Sequence, residues 1–147
     1  MKILYLCTGN SARSQMAEAF TRAMAPAAAG IEVFSAGTHP KEVHPQTIAV
    51  MAESGVDVGG ARSKGIDEVP FDAVDLVVTL CDDARATCPA PPPGARRIHW
   101  GLRDPALTEG SPDDVRESFR AVRDEVRTCV KRLLFELATT RGGRPGA

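Results

Sequence analysis

The chain has almost no net charge: 18 Lys and Arg face 19 Asp and Glu, leaving −1. No global field is therefore available to recruit nucleic acid or an anionic membrane, and attraction for an anion must come from local groups. No apolar stretch reaches the roughly 18 residues of a transmembrane helix, so no membrane span is expected. The apolar start is too short for a signal peptide and runs straight into a polar loop, which points to a soluble, cytoplasmic protein. Cysteines number four. Without a secretory signal they favour reactive thiols in a reducing compartment over a disulfide framework. Aromatics are sparse, repeats and linkers are absent, and 147 residues suit one core. We expect a single catalytic domain over 1–140, with 141–147 a Gly-, Arg- and Pro-rich flexible tail, and a monomer.

What is present is concentrated near the N-terminus. Lys2-Ile3-Leu4-Tyr5-Leu6 reads as a buried strand. Met16, Phe20, Ala23 and Met24 recur at helical spacing, so a helix begins near Ser14. Between them lies Cys7-Thr8-Gly9-Asn10-Ser11-Ala12-Arg13, followed by Ser14. A small polar loop between strand and helix turns backbone N–H groups inward at the positive end of the helix dipole, forming an anion cradle. Arg13 adds a planar fork that matches two oxygens of a tetrahedral oxyanion. The same surroundings favour the nucleophilic, anionic form of a thiol, and Ser14 is placed to donate to the sulfur. Cys7 is the expected nucleophile, with Thr8 to Ser14 the oxyanion-binding residues.

Further strands are expected over 31–35, 75–80 and 97–100. Helices are expected from His44-Pro45 to Gly55, over the short Asp82–Cys88 segment, and from Val115 to Leu137. The last has a stripe of Val115, Phe119, Val122, Val126, Cys129, Leu133 and Leu137. Strands alternating with helices make this an α/β chain with a four-stranded parallel sheet flanked by helices on both faces. Ligands of such sheets sit at the carboxyl ends of strands, where Cys7 stands. Cys129 reads as core, and His39, His44 and His99 receive no catalytic role.

Cys-x5-Arg-Ser after a first strand resembles the low-molecular-weight phosphatase fold. The wording Cys-Thr-Gly-Asn-Ser-Ala-Arg-Ser-Gln-Met-Ala-Glu is similar to its thioredoxin-coupled arsenate reductase branch. The stretch His99-Trp100-Gly101-Leu102-Arg103-Asp104-Pro105 resembles the same branch and implies that Asp104 is the general acid. Alone, an Asp before Pro reads more readily as a turn residue.

Cys81 and Cys88 admit three readings. They are incidental thiols, zinc ligands or a redox pair. Their Cys-x6-Cys gap is wider than usual zinc spacing and no further ligands present themselves. If the intervening segment is helical, the two lie about 10 Å apart. A disulfide needs Cα atoms within roughly 7 Å, so joining them requires the segment to unwind. The resemblance implies a relay: Cys7 attacks arsenate, Cys81 attacks the adduct, and Cys88 then attacks Cys81. This leaves a Cys81–Cys88 disulfide for thioredoxin, with phosphate or sulfate as competitors in the cradle. It also gives Asn10 and Glu18 supporting work. Some relatives hold potassium with residues matching Asn10, Glu18 and Ser35 and an Asp, whose place here is taken by Lys64. No bound metal or cofactor is therefore expected. The rival readings are a phosphatase for phosphotyrosine or small esters, weakened by the non-aromatic Pro105-Ala106-Leu107, and a non-enzymatic thiol sensor.

Overall fold

The computed structural model describes residues 1–142. Four parallel strands, β1 (Lys2–Cys7), β2 (Glu32–Gly37), β3 (Leu76–Thr79) and β4 (Arg96–His99), form one sheet in the order β2-β1-β3-β4. Helix α1 (Arg13–Met24) follows β1 and α2 (Pro45–Glu53) follows β2. Helix α3 (Asp82–Thr87) follows β3 and α4 (Pro112–Gly142) closes the chain. Short 3-10 turns occupy Ile66–Glu68, Phe71–Ala73 and Pro105–Leu107 within the connections. Among the described residues, no helix is long and apolar enough to cross a membrane.

Residues Ile3 to Cys7 and Leu76 to Thr79 are buried consecutively, not alternately, so both faces of the sheet's centre are covered. The chain leaves β1 toward β2 on one side and leaves β3 toward β4 on the other. With right-handed crossovers, α1 and α3 fall on opposite faces. The gap between the carboxyl ends of β1 and β3 is the switch point at which such sheets bind ligands. Register makes this concrete: Leu6 pairs with Thr79, and the Leu80 N–H donates to the Leu6 carbonyl. Cys7 and Cys81 thus emerge from adjacent strands.

Two expectations shift at the C-terminus. Helix α4 runs on through Gly142, so the first two residues of the expected tail are helical, and 143–147 lie outside the described residues. The apolar stripe also steps four residues from Val126 to Val130, both fully buried, which leaves Cys129 half-buried at the stripe's edge. Burial still pushes the Cys129 thiol up from its ordinary value.

Helix α2 is tied to α4 by Glu53, whose carboxylate accepts from Arg120 at 2.7 Å and from Arg123 at 2.7 Å. Hydrogen bonding from Arg120 first, then Arg123, lowers the Glu53 pKa from 4.5 to about 2. A carboxyl depressed in the folded state stabilises the fold fully above its unfolded value and loses that contribution as pH falls through the folded value. Glu53→Gln is expected to lower the melting temperature at pH 7. The gap to wild type should close between pH 4.5 and 2. Melting curves across that range check it, and a constant gap would contradict it.

Candidate active site

The loop after β1 is braced from behind, backbone to backbone. The N–H groups of Thr38, His39, Lys41 and His44 donate to the carbonyls of Cys7, Thr8, Gly9 and Ser11 at 2.8–3.1 Å. Ser63 Oγ donates to the Asn10 carbonyl at 2.8 Å. A loop whose carbonyls are engaged on one side presents its N–H groups on the other, which suits an anion. This close layering depends on Gly37 at the end of β2. A Cβ there would lie 2.6 Å from the Thr8 carbonyl oxygen and 2.8 Å from the Asn10 nitrogen.

Asn10 is the hub of the loop. It is the one described non-glycine residue with positive φ, +47°, a bend that Asn tolerates better than most side chains. Its amide oxygen accepts from the Lys64 N–H at 2.8 Å and from Gln15 Nε2 at 3.0 Å. Two donors on that side fix which end of the amide is oxygen. Its Nδ2 donates to Ser14 Oγ at 2.8 Å and to Ser35 Oγ at 2.9 Å. Ser14 already receives a hydrogen from Asn10, so its own is free for the Cys7 sulfur, 2.9 Å away. A donor aimed at sulfur stabilises the thiolate form. Ser35 in turn donates to Glu18 Oε1.

Behind this chain, Lys64 Nζ lies 3.8 Å from Glu18 Oε1 and donates to the Arg62 carbonyl at 2.9 Å. Burial pulls the Lys64 ammonium down from its ordinary pKa, and the Glu18 carboxylate opposes that shift. Arg22 also pairs with Glu18, at 2.8 Å. Glu18 is thus paired with two cations, and Asn10 Oδ1 is committed to two donors.

On the open side, Cys7, Gly9, Arg13, Lys41, His44 and Asp104 are among the residues lining a cavity of about 360 Å³. Arg13 is buried. Its NH1 donates to the Leu102 carbonyl at 3.2 Å, and its NH2 lies 3.5 Å from Asp104 Oδ2. Asp104 caps the Pro105–Leu107 turn, its Oδ1 accepting from the Ala106 N–H at 2.9 Å. This leaves Oδ2 toward Arg13 and the cavity. A larger groove of about 690 Å³ against Glu18, Arg22 and the 55–61 turn includes none of the cysteines.

Cys81 is buried beside the loop. It is the N-terminal cap of α3, its sulfur accepting from the Ala84 N–H at 3.3 Å, and Thr8 Oγ1 lies 3.3 Å from the same sulfur. Cys88 is not brought to it. It closes the far end of α3, half-buried, with its thiol donating to the Pro89 carbonyl at 3.2 Å. Burial pushes the Cys88 thiol up, against a smaller pull from Arg97. All four cysteines are free thiols. The expected site residues therefore divide into a cradle (Cys7 to Ser14 with Asp104), a support (Asn10, Glu18, Lys64) and a separate helix carrying Cys81 and Cys88. Sequence reasoning missed Gln15, Gly37, Thr38 and Asp83. Gln15, inside the quoted motif, and Gly37, closing a strand, left a trace in the sequence. Among the described residues no group of three or more His, Cys, Asp or Glu side chains is placed to hold a metal.

Residues 2–142 match the low molecular weight phosphotyrosine protein phosphatase family. An arsenate reductase from Halalkalibacterium halodurans is 43% identical over 131 residues, 88% of this chain and 91% of that one. A solved arsenate reductase in a phosphate-binding state superposes with a TM-score of 0.72 at 34% identity, over 92% of this chain and 98% of that one. The thioredoxin-dependent arsenate reductase of Corynebacterium glutamicum gives 0.72 at 27% identity, over 95% of this chain and 62% of that one. Taken with the strand-loop-helix cradle around Cys7 and Arg13, these likenesses establish that the chain belongs to the low molecular weight phosphotyrosine protein phosphatase family.

Proposed function

We propose that this protein reduces arsenate to arsenite by a relay of three thiols, drawing its electrons from thioredoxin. The observation that carries the reading is the sulfur of Cys81 beside Thr8 Oγ1, 3.3 Å, at the strand end next to Cys7. A phosphatase of this fold has no use for a second thiol beside the loop, because water ends its cycle. Its relatives' names point the same way.

In the proposed sequence arsenate binds the loop N–H groups and Arg13. The Cys7 thiolate attacks arsenic(V) and a hydroxyl leaves as water with the Asp104 proton. Cys81, as thiolate, attacks the Cys7 sulfur. The sulfur–arsenic electron pair goes to arsenic, arsenite departs, and a Cys7–Cys81 disulfide remains. Cys88 then attacks Cys81, α3 unwinding to bring it within reach, and Cys7 leaves as thiolate. Thioredoxin supplies two electrons and two protons to reopen Cys81–Cys88. The protein works as a cytoplasmic monomer with no bound cofactor, and Lys64 removes any need for potassium.

The test is arsenate with thioredoxin, thioredoxin reductase and NADPH, run with sodium and with potassium salts, beside hydrolysis of an aryl phosphate. Arsenate-dependent NADPH oxidation, indifferent to the cation, is expected. Ester hydrolysis with no NADPH oxidation would make the protein a phosphatase. Strong activation by potassium would overturn the part given to Lys64.

A further inference from the structure

Cys81 stands among groups with conflicting demands. The Ala84 N–H, at the start of α3, favours a negative sulfur. Thr8 Oγ1 is equally close to it, at 3.3 Å, but a hydroxyl has one hydrogen to give. The Asp83 carboxylate, an acceptor only, lies 3.4 Å from Thr8 Oγ1 and 3.4 Å from Thr38 Oγ1. When Thr8 donates to Asp83, Cys81 meets the hydroxyl's lone pairs and must supply the hydrogen itself, as a thiol. When the hydroxyl turns the other way, Cys81 can be a thiolate. A carboxylate outcompetes a neutral acceptor for that hydrogen, and its charge opposes a second negative charge nearby.

We infer that Asp83 is a positioning residue that turns the Thr8 hydroxyl away from Cys81 and so holds the resting Cys81 as a thiol. Two thiolates at neighbouring strand ends would repel one another, so a neutral Cys81 leaves the negative charge to Cys7 until substrate is bound. Other charged groups converge on this corner. Asp82 and Arg85 come from α3, where they pair at 3.4 Å, and His99 from β4 reaches Asp82 at 3.2 Å. His39 follows β2 and contacts Thr38 at 3.3 Å. The side-chain hydroxyl of Thr8 meets Cys81 and Asp83, which makes Asp83 the group that competes for its hydrogen.

The consequence for turnover rests on the relay proposed above, but the test does not. The fully reduced protein is treated with iodoacetamide, and Cys7, Cys81 and Cys88 are followed separately by peptide mass spectrometry. Asp83→Asn should alkylate Cys81 about three- to tenfold faster at pH 7, with its pH profile displaced to lower pH. Cys88 should be unaffected, which separates a redirected hydroxyl from a loosened α3. Asp82→Asn should give a smaller gain, and in a Thr8→Val background Asp83→Asn should give little further gain. An unchanged or slower Cys81 rate overturns the inference. So does a matching rise at Cys88, an equal gain from Asp82→Asn, or the full gain without Thr8. Failure of the relay itself shows in the NADPH-coupled assay and leaves these alkylation rates as they are.

Discussion

Replacing each of three cysteines by Ser should separate arsenate reduction from ester hydrolysis along a sharp line. Cys7→Ser is expected to lose both activities, by about 10⁴-fold or more, because every proposed step begins at that sulfur. Cys81→Ser keeps the cradle, Arg13 and Asp104, so aryl phosphate hydrolysis persists while arsenite release stops. Cys88→Ser retains the first exchange and should release a single burst of one arsenite per chain before stalling as the Cys7–Cys81 disulfide. Rapid-quench arsenite assays and disulfide mapping read these outcomes. Sustained NADPH-coupled turnover in either Cys81→Ser or Cys88→Ser would remove that thiol from the relay.

Gly37→Ala should be nearly as damaging, though Gly37 touches no substrate. The added methyl would stand 2.6 Å from the Thr8 carbonyl oxygen and 2.9 Å from the Gly9 carbonyl carbon, closer than real Cβ atoms come. Both obstacles are backbone, so no rotamer relieves the overlap, and either the end of β2 or the anion loop must move. Forcing a methyl into such packing costs about 1–3 kcal/mol. Displacing the loop by a fraction of an ångström to about an ångström should cut kcat/KM for arsenate about 10²-fold. Gly60→Ala is the control, because nothing lies within 4 Å of a Cβ at that position. Wild-type kcat/KM in Gly37→Ala would mean that the layering behind the loop does not hold its shape.

The parts legible in the sequence were those decided locally. Cys7 to Ser14 announces itself because strand, loop and helix are consecutive, and the periodicity of Met16 and Phe20 places the helix without reference to anything distant. The short helix between Cys81 and Cys88 was readable from its acidic start and from Pro89. The closeness of Cys81 to Cys7 was not, because it depends on which strands pair, and no spacing encodes that β3 lies beside β1. Only resemblance suggested it. Asp83 and Thr38 were invisible for the same reason, since their contacts arise where three strand ends meet. Helix α4 outran its apolar stripe because Ala138, Thr139 and Thr140 need no core contact to continue a helix already running from Pro112, and Pro or Gly does not intervene until Gly142.

The first sulfur ends β1 and the second follows just past the end of neighbouring β3, while the third waits beyond six residues of helix. In the proposed relay the opening handover therefore spans a distance held by main-chain pairing, which loop length and solvent barely touch. The closing handover is a miniature unfolding reaction. A side-chain staple across Asp82–Thr87 would throttle that second handover alone, and turnover would inherit the thermodynamics of one small helix.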